Sequence, residues 1–504
     1  MYRNLKLILV LLVCAASALA GEKPAQSDSE PTSEAKNAPS LTIYNANFAV
    51  VRQNLFLELQ PGVNHVTFAD ATAHIEPDSV ILRDLDGKRT LQVLEQNYRN
   101  DPVSQGLMLS LFEGKTIQFQ SQRWDASGHW EPYMITGKII RSGYSHNGSM
   151  EPIIEVEGKL QFSLPGQPIF PALGNNTILK PTLDWLLQSD RPGPSNSEVS
   201  YVTGGLSWHA DYNLVAPPKG DTATLAGWIT MDNQSGKTFE NAQIKLMAGD
   251  VNKLQPNQLR DMEMKAANRA VAGFAEAPPV VTEKAFDEFH LYTLEHSTTL
   301  LDHETKQVEF VSAPAMKSQR IYVYNGFDMG GYGYGYYGGD YAIQDQSYGT
   351  QSNPKVWVMQ EFKNSKANGL GIPLPKGRLR FYRRDDDGQL QFVGENTIDH
   401  TPTDETVRVY TGNSFDLVGE RKRTNYRIDT HAKWIDESFE IKIRNHKKEG
   451  AEVRVVEKLY RWVNWQITDK SQPYHKLDAQ TIEYRVQVPP DGEQVVDYTV
   501  HYSW

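Results

Sequence analysis

Ser207 and His209 stand two residues apart in Gly205-Leu206-Ser207-Trp208-His209. A serine beside an imidazole raises the question of acyl transfer, but a nucleophile elbow needs Gly-x-Ser-x-Gly on a strand–turn–helix. Here His209 replaces the last glycine and the residues after Ser207 alternate as a strand, so Ser207 is expected to be structural. His290, His296 and His303, followed by Glu304, form a second concentration of reactive side chains. They lack the H-E-x-x-H spacing that puts two ligands on one helical face. Along an extended strand His290 and His296 would lie ~20 Å apart, too far to share an ion. No metal site is expected.

Carboxylates are abundant, with 62 Asp and Glu, so neighbouring acids carry little meaning and no facing pair for glycoside hydrolysis stands out. Asp84-Leu85-Asp86-Gly87 misses the carboxylate a calcium loop needs two residues before Asp84, where Leu82 stands. Asp86-Gly87 reads instead as a hairpin turn. Asp385-Asp386-Asp387 is contiguous, unlike calcium ligands, and also reads as a turn. Gly204-Gly205 and Gly330-Gly331 lack the neighbours of a phosphate loop, and Arg421-Lys422-Arg423 reads as a solvated basic face. No catalytic, cofactor-binding or metal-binding residue is assigned, and no cofactor is expected. One odd feature remains: residues 325–351, where glycine alternates with Tyr332, Tyr334 and Tyr336, with Tyr337 beside them. These four tyrosines are candidate stacking contacts for a glycan or a partner protein; the plainer alternative is a surface insertion without a role.

The elements that would carry these residues are strands. In Ser200–Leu214, Leu206, Trp208, Ala210, Tyr212 and Leu214 share one parity, which predicts a strand with an aromatic buried face. Ile244, Leu246 and Ala248 line the strand after the turn Gln234-Ser235-Gly236. Hairpins are predicted on Asp387-Gly388, Glu449-Gly450 and Pro490-Asp491-Gly492. In the last, Ile482, Tyr484, Val486 and Val488 alternate, as do Val496, Tyr498, Val500 and Tyr502, like one face of a sandwich. Pro256, the apolar positions after it and Gly273 predict one short helix over 256–273. The fold class is therefore all-β, mainly antiparallel: sandwich- or barrel-like modules with an immunoglobulin-like sandwich at the C-terminus. The expected division is 41–190, an N-terminal β domain; 191–353, a central β domain with that helix and the Gly/Tyr loop; and 354–504, the C-terminal sandwich. Residues 184–199, with Pro192 and Pro194, read as a crossing between domains.

At 504 residues, 39% hydrophobic and 22% charged, the composition is globular. The net charge of −11 argues against nucleic acid and against electrostatic docking to anionic lipid. Arg3 and Lys6, the apolar run Leu7 to Val13 and Ala18-Leu19-Ala20 read as a signal peptide over 1–20, cleaved between Ala20 and Gly21. The run is short of the ~20 residues of a transmembrane helix. The sole cysteine, Cys14, lies within the signal peptide, and Val13 disfavours a lipid anchor there. Cleavage leaves a cysteine-free mature chain, without disulfides or thiol chemistry. Residues 21–40, poor in large apolar groups, read as a disordered spacer.

SYVTGGLSWHADYN, GWITMDNQSGKTFENAQIKLMAGDVN, FHLYTL with TTLLDHETKQ, LPKGRLRFYRRDDDGQLQFVGENTIDHTPTDETVRVYTG and EIKIRNHKKEGAEVRVVE occur in that order. Together they resemble the exported bacterial family called domain of unknown function 4139, some relatives of which are called mucoidy-inhibitor-like. The resemblance runs from about Leu41 to Trp504 and implies a β-rich exported protein, periplasmic or extracellular, without a known activity. It carries over no site residues. Longer relatives have a coiled-coil portion, and no heptad run occurs here. The expectation is a non-catalytic envelope protein that binds or supports an envelope protein or glycan; the rival is a hydrolase of a cell-surface polymer.

Overall fold

The computed structural model describes residues 38–145, 148–173, 177–249, 251, 253, 281–286, 289–327 and 344–504. The signal peptide with Ala20 and Gly21, Cys14, most of the spacer and the helix expected over 256–273 lie outside them, as do Tyr332, Tyr334, Tyr336 and Tyr337. The chain is all-β, built of several sheets with mostly antiparallel pairing.

Ser40–Tyr44 turns back into Phe48–Leu59, and both sit inside an eight-stranded sheet. Phe239–Ala248 pairs parallel to the first of them and Gly193–Gly204 pairs antiparallel to the second. A three-stranded layer of Gly62–Ala69, Thr182–Ser189 and Leu91–Arg99 packs on this sheet through Phe68, Trp185 and Leu187. Residues 184–199, expected as a crossing, are thus mostly strand in two layers, with Pro192 held in the turn between them. Between Leu91–Arg99 and Thr182–Ser189 an insertion forms its own five-stranded sheet over a small core of Leu109, Ile117, Phe119, Ile139 and Ile154. Its helix, Gln105–Leu111, starts where the Ser104 hydroxyl accepts from the Leu107 N–H at 3.2 Å.

The strand Leu206–Ala216 buries Leu206, Trp208, Ala210, Tyr212 and Leu214 as the alternation predicts. It lies between Thr222–Asn233, antiparallel, and Gly377–Arg384, parallel. From there one sheet runs into the C-terminal part of the chain on two long strands. Glu304–Tyr324, of 21 residues, pairs first with Thr222–Asn233 and then with Lys355–Lys363. Thr406–Asp429, of 24 residues, pairs first with Lys355–Lys363 and then with Trp434–Asn445. Each contributes to both large cores, one spanning Leu41 to Val409 and the other Tyr324 to Tyr502.

Three of the predicted hairpins are instead steps between layers. Ile81–Asp84 pairs with Gly193–Gly204, whereas Leu91–Arg99 pairs with Thr182–Ser189, because Asp84 accepts from the Lys88 N–H and the Ser195 hydroxyl and turns the chain out of plane. Trp434–Asn445 and Ala451–Lys458, across Glu449-Gly450, likewise join different layers. So do Thr481–Val488 and Gly492–Ser503. The two alternating rows from Ile482 and Val496 are both buried, but they face each other across the core; Tyr484 and Tyr498 meet with centroids 5.9 Å apart. The Asp387-Gly388 hairpin forms as expected.

A buried asparagine stands at three corners of the fold, one of them, Asn445, at the Glu449-Gly450 step. Asn233, Asn364 and Asn445 each donate Nδ2–H to three carbonyls on neighbouring segments and accept a backbone N–H at Oδ1. For Asn445 the carbonyls are those of Glu449, Val488 and Pro489. Asn445→Ala strands these acceptors and is expected to cost about 2–3 kcal/mol. Urea unfolding followed by tryptophan fluorescence measures it; an unchanged midpoint contradicts the role.

Candidate functional site

A cleft of about 780 Å³ opens where the two N-terminal layers meet the corner after Asn233. Gln53, Asp70, Lys180, Lys237, Glu240 and Asp302 line it. Lys237 is buried, and a buried amine in a cleft is where Schiff-base or general-base chemistry would be sought. Its Nζ lies 2.8 Å from Asp70 Oδ2 and donates to the Asp70 carbonyl at 2.5 Å and to Gln53 Oε1 at 3.1 Å. The cation also lies 5.4 and 5.7 Å from the ring centroids of Phe68 and Phe239. Three acceptors use the three N–H bonds, so the amine presents no lone pair to the cleft.

Burial pulls the Lys237 ammonium below its ordinary range, and the Asp70 charge restores only part of that. Burial pushes the Asp70 carboxyl up, but the bonds and charges of Lys237 and Lys180 outweigh it and hold the carboxyl low. Asp70 therefore adds stability above the unfolded carboxyl value of about 3.9, and loses it as pH falls through its lower folded value. Asp70→Asn is expected to flatten the fall in melting temperature below pH 4 and to lower the melting temperature at pH 7. Parallel acid profiles for the two proteins would contradict this.

The C-terminal core contains a second group of charges, of which Arg421, Glu437, Glu457 and Arg461 are buried. Arg461 lies against Glu437, Nη2 donating to Oε1 at 2.9 Å with Nε 2.8 Å from Oε2. Arg423 donates to the same carboxylate at 3.0 Å, and the Tyr460 hydroxyl reaches both its oxygens. Beside it Arg421 Nε bridges both oxygens of Glu457 at 3.0 Å, and the Tyr498 hydroxyl donates to Glu457 at 2.5 Å. The Arg421 guanidinium lies 4.0 Å from the Phe439 ring centroid. Burial works against both guanidinium charges, and the adjacent carboxylates reverse it, so both stay charged. Arg421-Lys422-Arg423 is accordingly not a solvated face. The strand Thr406–Asp429 turns Lys422 out and Arg421 and Arg423 in, Arg421 toward Glu457, which has no other cationic partner among the described residues, and Arg423 toward Glu437 as a second partner beside Arg461.

This group also anchors both flanks of the Gly/Tyr segment. Phe327 stacks on Tyr460 with centroids 4.6 Å apart. On the far flank Tyr426 donates to the Gln344 carbonyl, Arg461 to those of Asp345 and Tyr348, and Arg421 to that of Gly349. Arg461→Met leaves Glu437 short of its main partner and is expected to cost about 3–5 kcal/mol and to loosen residues 344–349. Limited proteolysis with mass mapping reads the second effect; unchanged cleavage near 344–349 contradicts the anchoring role.

The residues singled out in the sequence fall elsewhere. His209 Nε2 lies 3.1 Å from Asp211 and Nδ1 4.0 Å from Asp232. Ser207 is two residues away on the same strand, which continues as strand rather than helix. Asp211 is already engaged by Arg378 at 3.3 Å, Arg380 at 3.6 Å and the Thr230 hydroxyl, and none of these residues lines the cleft. His290 pairs with Glu283 at 2.6 Å, His303 with Asp302 at 2.9 Å, and His296 is exposed in a turn. Among the described residues no three His, Cys, Asp or Glu side chains group as metal ligands. Asp385 and Asp387 accept backbone N–H groups within their turn. Lys237 had no legible signal, whereas Glu437 and Glu457 had one: each stands on a strand parity that is otherwise apolar.

Among the described residues no helix is long and apolar enough to cross a membrane. No curated protein matches the chain. Residues 197–504, from Gly193–Gly204 through the C-terminal sandwich, match the model of the domain of unknown function 4139, and the chain belongs to that family.

Proposed function

We propose that this is an exported, non-catalytic envelope protein whose work is to hold or bind another envelope component. The observation that carries the reading is the sheet of the insertion. Trp124, Trp130, Met134, Leu160 and Phe162 stand 52–60% exposed on one small module, a density of large apolar groups that a soluble surface rarely leaves uncovered without a use. The internal charges support the non-catalytic part. Lys237, Asp211, Glu437 and Glu457 are each taken up by partners of opposite charge, whereas an acid, base or nucleophile must be offered to a substrate. Export rests on Arg3, Lys6, the apolar run after them and Ala18-Leu19-Ala20. The Gly/Tyr segment, with Tyr332, Tyr334, Tyr336 and Tyr337, is a second contact region in this reading.

Crosslinking of the full chain in its own cells, followed by fractionation, tests the proposal. The expected result is chain outside the cytoplasm, joined to a reproducible envelope component, with no release of fragments from envelope polymers. Retention in the cytoplasm overturns export. Release of polymer fragments by the purified chain overturns the non-catalytic reading in favour of a hydrolase.

A further inference from the structure

The outer face of the insertion sheet has a composition that selects among ligands. Thr116–Trp124 and Trp130–Arg141 pair with Trp124 opposite Trp130, Gln122 opposite Pro132, Gln120 opposite Met134 and Gln118 opposite Thr136. All eight side chains point away from the small core, because the opposite parity, with Ile117, Phe119 and Ile139, fills it. Gln167–Ile169 adds Gln167 beside Gln120 and Ile169 beside Gln118. At the turn end the two indoles lie 4.6 Å apart at 35°, with Trp124 60% and Trp130 56% exposed. Lys138, at the far end opposite Thr116 and Glu155, is the first charge met on this face along the paired strands.

We propose that this face binds a neutral polysaccharide, with a sugar ring stacked on the Trp124–Trp130 pair and the following units lying along the glutamine row. The proposal deepens the binding reading above and rests on it. An indole face attracts the C–H side of a pyranose ring, and an amide offers two donors and an acceptor to hydroxyls. The face runs for ~20 Å between Gln118 and Trp124, room for several units. Its lack of charge is what fixes the class. Nucleic acid or anionic lipid needs cations, which are absent from the row, and an acidic glycan would be repelled by a chain of net charge −11. A peptide partner would find neither a charged anchor nor a pocket in this row.

Affinity electrophoresis of the full chain through gels holding hydroxyethylcellulose, with sedimentation on insoluble chitin as a second probe, tests the assignment. Retardation or co-sedimentation is expected, at least ten-fold weaker in Trp124→Ala/Trp130→Ala, restored toward wild type in Trp124→Phe/Trp130→Phe, and weakened in Gln120→Ala. Both tryptophans are exposed, so the melting temperature should hold. Binding that survives the double alanine change overturns the site. Absence of binding to either glycan overturns the ligand class. In that case, if the double change still abolishes crosslinking to an envelope protein, the broader binding reading survives. A dimer of the wild type that the double change dissociates assigns the face to a second copy and overturns the proposal.

Discussion

A strand that leaves one layer for another must take its last backbone groups out of one ladder before the next can receive them. At three corners the structure meets this constraint with one buried residue type. Asn233, Asn364 and Asn445 each end or follow a strand, and each amide bridges carbonyls of three separate residues while its own oxygen holds the departing backbone. Asparagine suits the task because one side chain supplies both donors and an acceptor without charge. Aspartate would face the same carbonyls with oxygens that only accept. The cores on either side of these corners are ordinary alternating strands, and the corners decide which layer each strand enters.

The charged groups of the C-terminal core belong to the same economy of satisfaction. Two buried carboxylates, Glu437 and Glu457, are matched by Arg461, Arg423 and Arg421, and the spare guanidinium N–H bonds go to backbone carbonyls at 345, 348 and 349. Burying such pairs contributes little net stability, but breaking one is costly. Contacts through carbonyls hold a segment whatever side chains it carries. The flank at 344–349 is thus held largely through its main chain, with the Tyr348 ring added against Tyr460, while the other flank is held by the Phe327 ring.

Much of the fold was legible because strand parity is a strong signal. The rows from Leu206 and from Ile482 alternate without interruption and are buried as read. The family was legible as well, since ordered motifs from Ser200 onward carry it. The partner of each strand was not legible. Asp-Gly and Pro-Asp-Gly predict a reversal of direction, and a reversal between layers uses the same residues as one within a layer. The basic run at Arg421 was misread for a related reason: charge suggests solvent, and only the apolar neighbours of Glu437 and Glu457 on facing strands reveal that an inward cation is required. Lys237 sits in a corner without periodicity, and the three acceptors that bury it come from residues 53 and 70, far off in sequence.

Glu304–Tyr324 and Thr406–Asp429 each pass from one core into the other as strand. At ~3.3 Å per residue they span roughly 70 and 80 Å. An ordinary two-domain protein joins its halves by a linker that takes up bending and can be cut without loss to either side. Here the connection is two ladders of hydrogen bonds, so a pull on one sandwich loads the other along its strands. The two large cores are thereby held at a spacing set by continuous strand rather than by a linker.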